Sequence, residues 1–124
     1  MRVFLTRPFD RFIAHEGIDE AVLCEAILRA GKGLIDADLG GGVIKQRLAR
    51  KGQGRSGGFR TIILFRQDVR SFFVYGFAKN EQENISRNEL KAFRKLASEM
   101  LALDEDALIS AMQNATIREI VCHA

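Results

Sequence analysis

The 124-residue chain has no tryptophan, one proline, two cysteines and two histidines. With 47% hydrophobic residues and so little proline, it is not a disordered linker. Two cysteines are too few for the disulfide framework of a small secreted domain. Cys24 stands among apolar helical residues and reads as a small buried hydrophobe, and Cys122 as a free thiol near the end. His15 and His123 are not spaced with cysteine or with each other as zinc ligands are, and His15 reads as a solvated residue at a helix end. No apolar run reaches the roughly 18 residues of a membrane span, and the N-terminus has no secretory pattern. The expectation is a cytoplasmic protein with no membrane partner. Also missing is a G-x-x-x-x-G-K-S/T loop or any strand–glycine–helix arrangement for nucleotide phosphates. Ser56 has no histidine or acid partner for triad chemistry. The residues call for no metal and no cofactor.

The most informative absence is of negative charge. No Asp or Glu occurs between Asp38 and Asp68, a window holding Lys45, Arg47, Arg50, Lys51, Arg55, Arg60 and Arg66. Such a run is a fixed positive field that attracts polyanions. The far end is the reverse: from Glu99 onward stand Glu99, Asp104, Glu105, Asp106 and Glu119 against Arg118 alone. The net charge of +3 therefore hides a basic middle and an acidic end.

Hydrophobic periodicity supplies the elements. Arg2 to Thr6 reads as a strand. Pro8 suits the first turn of a helix carrying Phe9, Phe12 and Ile13, which Gly17 ends. Asp19 caps a second helix with Leu23, Ala26, Ile27 and Ala30 as its buried stripe, Ile18 stapling onto Leu23 and Gly31 closing it. Leu34 to Leu39 is a weaker strand, and Gly40-Gly41-Gly42 a turn. Val43 to Leu48 alternates, so Ile44 and Leu48 face the core while Lys45 and Arg47 point the other way together. Gly52 to Gly58 is a glycine-rich connection, and Phe59 to Phe65 is apolar enough for a central strand. After a turn at 67–70, Ser71 to Ala78 is the next strand. Ser86 and Glu89 form a capping box for a helix running to about Leu103, with Leu90, Phe93, Ala97, Met100 and Leu101 on one side. Asp104 caps a short helix with Leu108, Ile109 and Met112, and Thr116 to Val121 is short and β-prone. This order makes an α+β fold: a small, mostly antiparallel sheet packed against an N-terminal helical hairpin and a C-terminal helix. Residues 1–124 read as one domain, with a C-terminal extension from about 104.

The basic window falls on strands as well as on their connection, and Phe59 and Tyr75 stand beside it. Cations interleaved with aromatics suit single-stranded nucleic acid, whose phosphates need charge and whose unpaired bases need a stacking surface. Arg50, Lys51, Arg55, Phe59 and Tyr75 are the candidate RNA contacts.

The segments Val43-Ile-Lys45-Gln-Arg47-Leu-Ala-Arg50, Gly-Gln-Gly-Arg-Ser-Gly-Gly-Phe-Arg60 and Phe77-Ala-Lys79-Asn-Glu81-x-x-Asn-Ile-Ser86 resemble, in order and spacing, the RelE-type toxins of bacterial toxin–antitoxin pairs. The resemblance covers roughly Val3 to Leu101. It implies a small sheet backed by helices, a messenger-RNA endonuclease working in the ribosomal decoding site, and a cognate antitoxin. By position, Lys45 and Arg47 match the family's paired basic residues on a central strand. Arg60 matches its arginine after the glycine turn, and Lys79 its basic segment after the last sheet strand. The chain departs where relatives carry a second arginine, having Asn80 there, and where they carry a C-terminal tyrosine or histidine for proton transfer. Its only tyrosine is Tyr75, and His123 is outside the matched region. The smallest relatives also do not account for the acidic end from Asp104.

Metal-free RNA cleavage by the adjacent 2′-OH needs a base, charge stabilisation on the phosphorane and an acid for the leaving oxygen. Arginine supplies the middle requirement with a two-pronged grip, and packed cations depress the pKa of a lysine that would act as base. The catalytic candidates are Arg60 and Arg47 as phosphate clamps, Lys45 as base or further clamp, then Lys79, and Glu81 for proton transfer. Two other classes stay open: a gyrase-targeting toxin of the same fold, and a non-enzymatic regulator that binds RNA or a partner.

Overall fold

The fold is taken from a computed structural model. It describes the chain except residues 51–53, 80, 81, 83 and 124, and describes residues 50 and 54–57 by backbone alone. Four helices and a six-stranded sheet occur among the described residues, in the order β1 (Arg2–Thr6), α1 (Arg7–Glu16), α2 (Glu20–Gly31), β2 (Ala37–Gly40), β3 (Val43–Arg50), β4 (Gly54–Arg66), β5 (Arg70–Ala78), α3 (Arg87–Met100), α4 (Glu105–Gln113) and β6 (Ile117–Ile120). The sheet runs β2-β3-β4-β5-β1-β6. Every neighbouring pair is antiparallel except β1 and β5. The architecture is α+β, as the sequence implies.

Alternation along the strands divides the core in two. Val3, Leu5, Ile44, Leu48, Phe59, Ile63 and Phe73 bury one face against Phe9 and Ile13 of α1 and Leu23, Ala26, Ile27 and Ala30 of α2. Phe4, Val43, Ile62, Leu64 and Phe72 bury the other against Ala97 of α3 and Leu108 of α4, with Leu90, Phe93 and Met100 partly buried beside them. Both faces of the central strands are thus covered, which is why β4 reads as a nearly unbroken apolar run.

Local chemistry sets the boundaries. Gly17 closes α1 at φ 67°, a left-handed cap that glycine adopts without cost. Asp19 occupies the N-cap position of α2, but its side chain makes no capping hydrogen bond. The α3 capping box is complete: Ser86 Oγ accepts the Glu89 N–H at 3.1 Å, and Glu89 Oε1 accepts the Ser86 N–H at 2.7 Å. Asp104 Oδ1 accepts the Ala107 N–H at 2.8 Å and opens α4. The β2–β3 turn needs its glycines. Gly42 has φ +82°, and a Cβ there would meet Leu101 Cδ1 at 2.9 Å.

Three expectations are corrected. Cys24 and Cys122 are joined in a disulfide with Cα atoms 5.3 Å apart, across 98 residues of sequence. The pairing of β6 with β1 brings the end of the chain back beside α2, a return that two isolated cysteines do not announce. The connection read as Gly52 to Gly58 is shorter, because β4 begins at Gly54 and pairs it with Arg50 across an irregularity in the ladder. The weak strand expected from Leu34 contracts to Ala37–Gly40.

The acidic C-terminal segment also finds its role. Glu119 and Arg118 are neighbours on β6 and so face opposite sides of the sheet. Glu119 accepts from Arg2 Nε at 2.8 Å and Nη2 at 3.0 Å, while Arg2 Nη1 donates to Glu105 at 2.7 Å. Arg118 grips both oxygens of Asp10, at 3.0 and 2.8 Å, and donates to Glu20 at 3.0 Å. The returning strand is thereby tied to β1, α4, α1 and α2. No helix among the described residues is long and apolar enough to cross a membrane.

A candidate cationic active site

The α3 face of the sheet changes character along its length. Val43, Ile62 and Leu64 lie under the helix. Further along the same strands stand Lys45 and Arg47 of β3 and Arg60 of β4. The cross-strand register pairs Arg47 with Arg60 and Lys45 with Ile62, so all three cations share one face. The Arg47 N–H and carbonyl are both bonded on the side away from β4, to Asp36 and Arg29. Arg47–Arg60 is therefore a non-hydrogen-bonded pair, the kind in which facing side chains stand closer together.

Arg60 is only 7% exposed. Burial, and then the neighbouring Arg47 charge, lower its pKa from the ordinary arginine value, partly offset by Asp36. Arg60 Nη1 also donates to the carbonyl of Phe59 at 3.4 Å. Arg47 is exposed and Lys45 half-buried. Lys45 Nζ donates to Asn84 Oδ1 at 3.4 Å.

Tyr75 reaches this face through an irregularity. Strand β5 pairs Tyr75 with Ile62 but Phe73 with Ile63, so Val74 is an extra residue in a β-bulge. Phe72 and Val74 already belong to the α3 face, and strict alternation would turn Tyr75 away from it. The bulge keeps it there, between Phe77 and Phe93 with ring centroids 5.8 Å from each. Bulges re-aim side chains in this way beside functional sites. The Tyr75 hydroxyl donates to Gln82 Oε1 at 3.0 Å, and Gln82 Nε2 donates to the Asn84 carbonyl at 2.6 Å. Burial first, then Glu89, raise the Tyr75 pKa above that of a free phenol, against the Gln82 hydrogen bond. The next position, Gly76, lies against α1: a Cβ there would sit 2.3 Å from Phe12 Cε2.

The structure thus brings together Lys45, Arg47, Arg60 and Tyr75. Lys79 is exposed, and its N–H donates to the Gly58 carbonyl at 3.4 Å, one rung beyond Phe59–Ala78. Phe59 lies on the opposite face. It is 2% exposed and meets Phe12 edge-on, with centroids 5.6 Å apart, so it offers no surface to a base. Strand alternation between Phe59 and Arg60 separates them. Glu81 and Lys51 fall outside the described residues, as do the side chains of Arg50 and Arg55.

Sequence reasoning missed Gln82, Asn84 and the residues behind β3. One signal was readable: Gln46 sits between Ile44 and Leu48 on the core face. It is fully buried, accepts the Asp36 N–H at 2.6 Å and donates to the carbonyls of Ala26 at 3.0 Å and Leu34 at 3.3 Å. A polar group at an apolar position has to be satisfied in this way. Among the described residues no three His, Cys, Asp or Glu side chains stand together as metal ligands.

Comparison with known proteins agrees with this architecture. The family model described as the RelE toxin of the RelE / RelB toxin–antitoxin system matches residues 1–120. No curated protein matches the chain.

Proposed function

The chain belongs to the RelE toxin family; it is the toxin of a toxin–antitoxin pair, and from that premise we propose that it is a metal-independent endoribonuclease that cuts messenger RNA on the ribosome and so inhibits translation. The observation that carries this reading is the side-by-side placement of Arg47 and Arg60, with Lys45 next on the same face. Two adjacent guanidiniums on one face offer a planar, two-pronged grip that suits a phosphate lying between them.

In the proposed reaction Lys45 takes the proton of the 2′-OH as the oxygen attacks the adjacent phosphorus. The bond to the 5′-oxygen breaks, leaving a 2′,3′-cyclic phosphate and a 5′-hydroxyl. Arg47 and Arg60 hold the phosphate oxygens as negative charge builds on them. Tyr75 is a protonated phenol at neutral pH, suited to donate to the leaving oxygen or to stack on a flanking base. Lys79 extends the cationic face along the RNA, and Glu81 is retained as a candidate for proton transfer. The antitoxin neutralises the toxin by covering this face, whose charge favours fast association with an acidic surface.

The test is Arg60→Ala against Arg66→Ala, an equal change of charge at the distant end of β4. Loss of one transition-state clamp lowers cleavage by roughly 10²–10³, while Arg66→Ala cuts like the wild type. Melting curves establish that both variants are folded. Equal cleavage by Arg60→Ala and the wild type refutes the assignment. RNA bound but never cut by the wild type supports a non-enzymatic regulator, and DNA damage on expression supports a gyrase-targeting toxin.

A further inference from the structure

Strand β3 outruns its outer neighbour. Strand β2 begins at Ala37, opposite Lys45, and the same register continued would put Ile35 opposite Arg47. The chain leaves the ladder at that point, and two side chains take its place. Asp36 Oδ2 accepts the Arg47 N–H at 2.7 Å, and Arg29 Nη2 donates to the Arg47 carbonyl at 2.6 Å. Arg29 Nη1 also donates to the same Asp36 oxygen at 3.2 Å, and Glu25 holds Arg29 Nε at 3.0 and 2.7 Å. Both edge groups of Arg47 are therefore satisfied by a charge-assisted clamp, stronger than a neutral ladder rung. The buried Gln46, next to Arg47 on β3, ties the Asp36 backbone and the Ala26 carbonyl in the middle of α2 to the strand.

The clamp acts on the backbone of one residue, and that residue is a proposed phosphate ligand. The Arg47 guanidinium is exposed and makes no hydrogen bond or ion pair among the described residues, so its placement follows from its backbone. Resting on the endonuclease reading, we infer that Asp36 and Arg29 are positioning residues: they lock the edge of β3 so that Arg47 stays beside Arg60 at the scissile phosphate. The sign of the effect separates this role from simple electrostatics. Asp36 is an acid close enough to raise the Arg60 pKa. As a charge alone it opposes anion binding, and its removal would strengthen RNA binding and speed cleavage. As a clamp, its removal slows cleavage.

The experiment measures single-turnover cleavage of messenger RNA on programmed ribosomes, and amide hydrogen exchange at Arg47, for wild type, Asp36→Ala, Asp36→Asn and Arg29→Lys. In Asp36→Ala the maximal rate should fall about 10- to 100-fold, the cost of a displaced catalytic group, while the half-saturating concentration does not rise. Protection of the Arg47 amide should fall in the same variant. Asp36→Asn keeps an oxygen acceptor and should recover most of the rate. Arg29→Lys keeps the charge but cannot reach both Asp36 and the Arg47 carbonyl, and should lose rate even if Asp36→Ala fails to fold. An active wild type with unchanged or faster cleavage in both Asp36→Ala and Arg29→Lys overturns this inference alone. So does full Arg47 protection in a slow Asp36→Ala. A folded wild type that cuts no RNA overturns the endonuclease reading, and this inference with it.

Discussion

Cys122→Ser should cost this small protein a large part of its stability. The bridge to Cys24 spans 98 residues of the 124. In the chain-entropy account, closing a loop of that length removes roughly 4.7 kcal/mol of freedom from the unfolded state. Unfolding entropy of about 2.1 cal/mol/K per residue amounts to about 0.26 kcal/mol/K for a chain of this size. The two together set a drop in Tm of roughly 18 °C. The native state loses little in the variant, since the tail is also held by β6 pairing with β1 and by the Arg2 and Arg118 ion pairs. The assay is thermal melting of wild type and Cys122→Ser in non-reducing buffer, then of both with a reductant. The oxidised wild type should stand apart, and reduction should bring it down to the variant. Intact mass before and after reduction and thiol capping reports the bridge directly. If the two proteins melt within about 2 °C of each other in non-reducing buffer, against a shift of this size, the reasoning fails. Either the bridge is not formed, or closing the loop does not constrain the unfolded chain.

Two more tests address packing and charge. Gly76→Ala places a methyl 2.3 Å from Phe12 Cε2, so the ring or α1 must move; denaturant melts should show a loss of roughly 1–3 kcal/mol, and a neutral result would mean that α1 is not seated against β5. Glu119 has its pKa lowered, chiefly by the Arg2 hydrogen bonds, so the stability it adds is present above its unfolded value of about 4.3 and is lost as pH falls through the folded value. Glu119→Gln should therefore be less stable than wild type by about 0.5–1 kcal/mol at pH near 7, with the gap closing in acid; a gap independent of pH would contradict the ion pair.

Periodicity along the chain was enough for most of the elements and for the shared face of Lys45 and Arg47 in the candidate site. Spacings of three and four marked the stripes of α1, α2 and α3, and Ser86 with Glu89 announced a helix start that the structure completes. Period two placed Lys45 and Arg47 together and opposite Ile44 and Leu48. These signals are local, because backbone geometry alone decides which side chains share a face. What required the folded chain was everything set by registry between distant segments. Which residue of β4 faces Arg47 depends on how the hairpin closes, and that register put Arg60 with Arg47 while sending Phe59 to the other core. An extra residue at Val74 turned Tyr75 onto the cationic face, and a bulge leaves no mark in alternation until the partner strand is known. Asp36 and Arg29 became the substitute for a missing strand only because β2 stops at Ala37. Cys24 met Cys122 only because β6 returns to β1. Contacts so far apart in sequence arise from the sheet order, and no stretch of the chain encodes that order by itself.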